Sequence, residues 1–405
     1  MPHTQESHSR ATTRVCPCCL SSSHTRLALL PFADFDGPSL GREVGLMSCE
    51  QCGALFNDVE IDEDHFREWY QNESLYASDM GVGSGGSRPL DLERYKSTLT
   101  LLQSELSSTE VTVVDVGCAK GGLLQYLRGE GFSSVFGVDL NPDCIESMQT
   151  EGINAHLGSA TSLPFPDGHA DVLIYSNLLE HLVDVRAALT EARRALRDDG
   201  LFLVEVPDAS RYGEHPVFDY YWLSQKEHIN HFGPKHLEGL LCAAGFEVLK
   251  QGPTTPRIAA TVGTPFMYTL VRKSDMKPTT SDFTLRESMK AYLAASAEVM
   301  AKRRSVVDDL AKSETIVIPW GVGLEFFSLY TLAGLSRCNI PFLIDNNPAK
   351  QRRQVDGLDI RSSDVLDKLN SDAVVVITSV LHKEAMLNEI GSRSFAGNVV
   401  VLTQG

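Results

Sequence analysis

The sequence predicts an α/β protein with two separate parallel-sheet units behind a small cysteine-rich module, on three observations. Short apolar runs alternate with amphipathic stretches from about residue 90 to 250, the pattern of a parallel sheet covered by helices. Two strand–glycine loop–helix openings occur, at 111–127 and again at 315–333. Five of the nine cysteines, Cys16, Cys18, Cys19, Cys49 and Cys52, crowd the N-terminal end.

The balance of the chain narrows its class. Its 405 residues fit two to three domains at about 150 residues each. Hydrophobic residues at 42% and charged residues at 22% are globular values and exclude a mostly disordered chain. The net charge of −17 argues against phosphate-backbone binding as the main task, so no nucleic-acid partner is expected. No apolar run approaches the roughly 18 residues that span a bilayer, and MPHTQESHSRATTR lacks a secretory apolar stretch. A soluble, cytoplasmic monomer or homodimer with no membrane partner is the expectation, its cysteines ligands or buried thiols and not disulfides.

The elements follow in order. Residues 1–60 form the cysteine module. Cys16-Pro-Cys-Cys19 and Cys49-Glu-Gln-Cys52 are two C-x2-C pairs, and two such knuckles supply four thiolates to one tetrahedral ion. Zinc is expected as a structural metal; a rubredoxin-like iron site is the alternative, and Cys18 competes with Cys19 as ligand. Residues 61–250 hold the first parallel-sheet unit, entered through the Gly/Ser tract MGVGSGGSRP, read as a loop or lid. Residues 251–312 read as a helical connector, its segment 281–312 free of Pro and Gly, and 313–405 as the second unit.

In VTVVDVGCAKGGLLQYLRGEGFSSVFGVDLN, a strand carrying Asp115 leads into Gly117, Ala119, Gly121 and Gly122 and then a helix. Small residues there admit a ligand close to backbone and helix N-terminal amides. The next strand ends at Asp139, placed to accept ribose hydroxyls, with Leu140 beside it. The continuation, GSATSLPFPDGHADVLIYSNLLEHLVDVRAALTEARRALRDDGLFLVEVPD, resembles the class I S-adenosylmethionine-dependent methyltransferase family and not a dinucleotide oxidoreductase. The resemblance covers about 111–208 and implies a Rossmann-like core. It implies a cofactor site of Asp115, Gly117, Ala119, Gly121, Asp139, Leu140, Ala160, Thr161 and Asn177. Gly117 and Ala119 would meet the methionine portion, Asp139 the ribose, Ala160 and Thr161 the adenine, and Asn177 would close the site. Two positions depart from the pattern: Ala119 replaces a glycine, and Ser159-Ala160 stand where an aspartate is common.

Downstream, aromatic residues at 212, 218 and 220–222 precede Glu227-His228 and His231-Phe232. A Glu beside a His offers a base, and His181, four residues beyond Asn177, would project from the same side of a helix. His231 and His236 read as surface or helix-cap residues. With the cysteine pairs and the C-terminal FLIDNNPAKQRRQVDGLDI, the organisation resembles the sugar C-methyltransferase family of deoxysugar biosynthesis. That resemblance implies His181, Glu227 and His228 as catalytic residues, with a tyrosine, here Tyr76, taking part. The family's serine-rich substrate loop and the tyrosine before Glu-His are not recognisable. The second Rossmann-like unit has its own glycine loop, Gly321 and Gly323 with Glu325 and Asp345, open to two readings: a nucleotide-sugar site or a wall of the active site. Lys350, Arg352 and Arg353 add positive charge near it.

The expected function is methyl transfer from S-adenosylmethionine to a small molecule, through C-methylation of a nucleotide-linked keto-sugar via an enolate. O- or N-methylation of a glycan-pathway or natural-product substrate is the alternative. A zinc-bearing binding module with a vestigial methyltransferase core is the alternative of another class.

Overall fold

The computed structural model describes residues 14–59, 62–72, 85–86, 88–214, 222–224, 226–258, 262–275, 281–313 and 315–402. The chain begins with an antiparallel meander, β1 (His24–Pro31), β2 (Glu43–Cys49) and β3 (Leu55–Asp58), followed by α1 (Glu63–Asn72) and α2 (Pro89–Gln103).

The first parallel unit runs β4 (Thr112–Val116), α3 (Gly122–Gly129), β5 (Ser134–Asp139), α4 (Pro142–Thr150), β6 (Asn154–Leu157), β7 (Ala170–Ser176), α5 (Val185–Ala195) and β8 (Leu196–Pro207). Local sequence accounts for the starts: Asn141 caps α4 by accepting from Asp143 N at 2.9 Å, and Asp184 caps α5 through Ala187 N. Next come β9 (Asn230–His231), α6 (Pro234–Ala243), β10 (Phe246–Thr254) and β11 (Phe266–Lys273). The seven-stranded sheet has the order β10-β11-β8-β7-β4-β5-β6, with β11 antiparallel to both neighbours. Strand order reverses between β4 and β7, so the crevice for a ligand opens at the carboxyl end of β4, where the glycine loop lies. Val113, Val114, Leu173, Ile174, Leu203 and Val204 are buried in its central strands, each contributing about 1.5–3 kcal/mol. This sheet extends to Lys273, past the expected boundary at 250, because β11 is the strand that lets β10 pair.

The segment 251–312 is therefore part sheet and part helix. Its helix, α7 (Thr284–Lys312), starts where Asp282 accepts the N–H and the hydroxyl of Thr284. The front half of α7 buries Leu285, Met289 and Tyr292 against Leu46, Leu55 and Tyr212; its rear half buries Met300 and Val307 in the C-terminal core. That C-terminal unit comprises β12 (Val317–Trp320), α8 (Leu324–Thr331), β13 (Leu343–Ile344), β14 (Gln354–Val355), β15 (Leu358–Arg361), β16 (Val374–Ile377), α9 (Lys383–Ser392) and β17 (Asn398–Val401). Its sheet order is β14-β15-β13-β12-β16-β17, parallel except for β14.

The N-terminal meander is not an independent unit. Its sheet is completed by β9, which pairs Asn230 with Phe56 and His231 with Leu55. Among the described residues, no helix is long and apolar enough to cross a membrane.

Candidate active site

A cavity of about 510 Å³ opens at the carboxyl end of β4 and is walled by all three units. On the glycine-loop side lie Asp115, Gly117, Ala119, Asp139, Leu140, Ala160 and Asn177, seven of the nine expected cofactor residues. Gly121 and Thr161 stand outside the wall. A Cβ on Gly121 would meet Met148 Sδ at 2.5 Å, so this glycine, at φ +72°, serves packing of the loop against α4. Thr161 bonds instead to the hydroxyl of Ser159 at 3.0 Å.

Ala119 adopts φ +47°, the left-handed conformation that suits a glycine, and its N–H donates to Asp139 Oδ2 at 2.8 Å. The other oxygen of Asp139 accepts from Asn141 N at 2.8 Å. A further backbone hydrogen bond comes from Leu140, which leaves the carboxylate acceptor capacity for a hydroxyl, so it both ties the loop down and lines the cavity. Burial raises the Asp139 pKa against these hydrogen bonds. Asp115 is pushed up to about 8 by burial and by the nearby charges of Glu205 and Asp139, against the pull of Arg94.

Below the glycine loop lies the second constellation. His181 ends a three-residue 3-10 turn, Leu179–His181, and not the expected α-helix, because α5 starts only at Val185. The helical spacing expected between Asn177 and His181 is therefore absent, yet both line the cavity. Asn177 takes φ +55°, and its buried Oδ1 has no hydrogen-bond partner among the described residues. His181 Nδ1 lies 2.7 Å from Tyr70 Oη and 3.0 Å from the carbonyl of Glu227. A carbonyl only accepts, so these partners assign the proton to Nδ1 and leave Nε2 with its lone pair. The His228 ring meets His181 edge to face at 4.8 Å. Burial lowers His181 to about 4 and His228 well below its usual value, helped by the neighbouring imidazoles, so both are neutral at physiological pH.

The geometry also brings in residues the sequence reading missed. Tyr70, on α1, contacts His181; Tyr76, the tyrosine expected to take part in catalysis, lies outside the described residues. Glu180 is 1% exposed, neither carboxylate oxygen has a partner among the described residues, and burial pushes it up to about 8. Lys226 forms a buried ion pair with Asp34 of the N-terminal module. His231 and His236, expected at the surface or at caps, are buried: they bond Asn57 Oδ1 at 3.2 Å and the Cys52 carbonyl at 3.0 Å. Both positions are covered by docking of the N-terminal sheet, which no local pattern announces.

From the C-terminal unit, Val322, Gly323, Glu325, Lys350 and Arg353 reach the same cavity, whereas Arg352 does not. Here Asp345 accepts from Val322 N at 2.9 Å and from Lys350 Nζ at 2.9 Å. Glu325, in the first turn of α8, is buried and takes backbone hydrogen bonds from its own N–H and that of Val380. The anion position at this helix start is thus filled by the protein's own carboxylate.

At the N-terminal end, the thiols of Cys16, Cys19, Cys49 and Cys52 converge, with Cys16 to Cys52 at 3.6 Å and Cys19 to Cys49 at 3.4 Å. A tetrahedral ion with bonds of about 2.3 Å needs sulfurs roughly 3.8 Å apart, so the four fit one; Cys18 is outside the group. Gly53, at φ +82°, lets Asp282 approach: its Cβ would sit 2.2 Å from the Asp282 carbonyl.

Comparison with known proteins accords with this arrangement. Residues 90–251 match a family model described as a methyltransferase domain. An uncharacterised methyltransferase, YcgJ, of Bacillus subtilis is 26% identical over 182 residues, 42% of this chain and 61% of that protein. A fatty-acid O-methyltransferase of Mycolicibacterium smegmatis is 33% identical over 138 residues, 32% of this chain and 49% of that one. The chain thus spans about half to three-fifths of these relatives. The crystal structure of Burkholderia thailandensis 1,6-didemethyltoxoflavin-N1-methyltransferase, with S-adenosylhomocysteine bound, aligns at 18% identity and TM-score 0.41. The alignment covers 56% of this chain and 97% of that one. Residues 90–251 are a methyltransferase domain of the S-adenosylmethionine-dependent class.

Proposed function

We propose that the whole chain transfers a methyl group from S-adenosylmethionine to a small molecule, and that the acceptor is a nucleotide-linked keto-sugar methylated on carbon through an enolate. The observation that carries this reading is one cavity walled by all three units, which puts the glycine loop, the His181–His228 pair and basic groups of the C-terminal unit on a single wall. Beside the glycine loop, Asp115 and Asp139 line the cavity with pKa values raised chiefly by burial, and a sulfonium and an ammonium bound there would favour their ionised forms. On the same wall, Lys350 and Arg353 of the C-terminal unit are the basic groups that would meet a diphosphate, Lys350 by exchanging its pairing with Asp345. The C-terminal unit acts in this reading as a wall of the acceptor chamber, since its own loop and helix start are occupied by Asp345 and Glu325.

Bound S-adenosylmethionine supplies an electrophilic methyl group. The chain's task is to align the nucleophile and exclude water. Carbon becomes nucleophilic once an α-proton is taken, a task that falls in this reading to the Glu227–His228 pair, while the Tyr70 hydroxyl, held against His181 Nδ1, serves as the donor to the enolate oxygen. The four-cysteine module holds zinc in a structural role.

The test is methyl transfer and solvent deuterium exchange across a panel of nucleotide-linked keto-sugars. Exchange of an α-proton without cofactor, followed by C-methylation, is the expected result. Methylation of a substrate lacking an exchangeable carbon proton would move the assignment to O- or N-transfer. Absence of S-adenosylmethionine binding would sink every enzyme reading and leave the binding-module alternative.

A further inference from the structure

We propose that Glu180, His181 and His228 bind a divalent cation at the floor of the acceptor chamber. The proposal takes from the functional reading only that the acceptor occupies this chamber. One donor atom from each of the three residues lies within 4.8 Å of the others, and His181 Nε2 is 3.8 Å from Glu180 Oε1. A cation with bonds of about 2.1 Å would draw such donors to roughly 3–3.5 Å, a movement within reach of side-chain rotation.

Glu180 is the independent reason to expect a ligand. A carboxyl group 1% exposed, with neither oxygen partnered among the described residues, is costly and needs a function. Among the described residues, its own backbone N–H is the one group that approaches it as a donor, too poorly aligned to satisfy either oxygen. A second buried oxygen without a partner among the described residues, Asn177 Oδ1, belongs to a residue on the same cavity wall, suited to a metal-bound water.

The surroundings match what a ligating imidazole requires. His181 donates Nδ1–H to the Glu227 carbonyl, which fixes its tautomer and turns Nε2 toward Glu180. The His228 ring is held by a backbone hydrogen bond at Leu223. One carboxylate and two neutral imidazoles form a nitrogen–oxygen set, unlike the thiolates of the cysteine site, and suit manganese, iron or cobalt with coordination positions left open.

An open position facing the acceptor would take its carbonyl oxygen. The α C–H proton then passes to Glu227, the member of the Glu-His pair left uncoordinated. The C–H electron pair moves into the new C=C bond, and the oxygen becomes an enolate on the cation. The enolate carbon next bonds the methyl group, the carbon–sulfur bond breaks with its electrons leaving on sulfur, and Glu227 returns its proton to water.

Mn2+ is the probe, because it avoids thiolates and is read directly by electron paramagnetic resonance. Full-length protein with its cysteine site filled by zinc should bind one Mn2+ per chain. Glu180→Gln and His228→Gln, checked for fold by circular dichroism, should each weaken binding at least tenfold; if one does not fold, the other decides. No Mn2+ bound at millimolar concentration, or undiminished binding in the folded variants, would overturn the site. Methyl transfer by cation-free protein would do so too while leaving the methyltransferase reading intact. Mn2+ binding by protein inactive on every keto-sugar would do the reverse.

Discussion

The guanidinium of Arg14 donates to the side-chain oxygen of Asn230 at 2.7 Å, joining the edge of the cysteine module to the segment that carries Glu227 and His228. It also donates to the carbonyl of Ile229 at 2.8 Å and to those of Leu182 and Val183, the residues directly after His181. One side chain thereby holds both strands of backbone that present the site's histidines. Burial is strong enough to lower even this guanidinium to about 10.

Arg14→Met should therefore destabilise the chain by about 2–4 kcal/mol, since several buried acceptors lose a charged donor. A fall in the thermal midpoint, together with a lower kcat at unchanged cofactor affinity, is the expected pattern. An unchanged midpoint would show that the contacts are not needed.

Asp139→Ala should weaken S-adenosylmethionine binding by about 2–4 kcal/mol, because a carboxylate acceptor and the anchor of the Ala119 N–H are lost together. Asp139→Asn, which keeps one acceptor, should cost less. Calorimetric titration of both variants checks the order.

The pH dependence follows from Asp115. Its carboxyl is held up to about 8 in the folded chain against an ordinary 3.8. The native state thus binds more protons than the unfolded chain between these values, and cofactor-free stability should fall as pH rises through that window. A cationic ligand favours the ionised form. Cofactor affinity should climb with pH and level off above about 8, by at most tenfold per unit, with proton release on binding near pH 7. Titration in two buffers of different ionisation enthalpy measures that proton.

Tyr70→Phe should slow methyl transfer by roughly 10–100-fold, as expected when a group orienting a functional imidazole is lost, with cofactor affinity unchanged. Equal rates in the variant would return the tyrosine's role to another residue, Tyr76 among them.

Cys49→Ser should lower bound metal below about half an equivalent and loosen the N-terminal sheet, because metal binding supplies local folding free energy. Elemental analysis and hydrogen exchange over residues 24–58 provide the measurement.

How legible these features were depends on the range over which each is encoded. Asp115, Gly117 and Asp139 are readable because strand, loop and next strand end lie within one short stretch, each type of residue demanded by local backbone. The cysteine pairs are readable for the same reason. Tyr70 is not: α1 looks like any amphipathic helix, and only its docking brings the phenol to His181. Glu180 sits in a polar-looking turn and is buried only by tertiary packing. Gly121 shows the opposite error, a glycine in a cofactor pattern that the fold spends on Met148.

The pairing of β3 with β9 also sets an order of events during synthesis. The N-terminal meander is translated early, but its edge partner, Asn230–His231, follows only after the central strands of the seven-stranded sheet. At about 5–20 residues per second, that interval is roughly nine to thirty-five seconds. Through that time the exposed edge of β3 offers unpaired backbone to any passing strand. A metal ion captured by the four thiols would be the earliest long-lived tie in the nascent chain, holding β2 and its neighbours in register until the missing strand arrives.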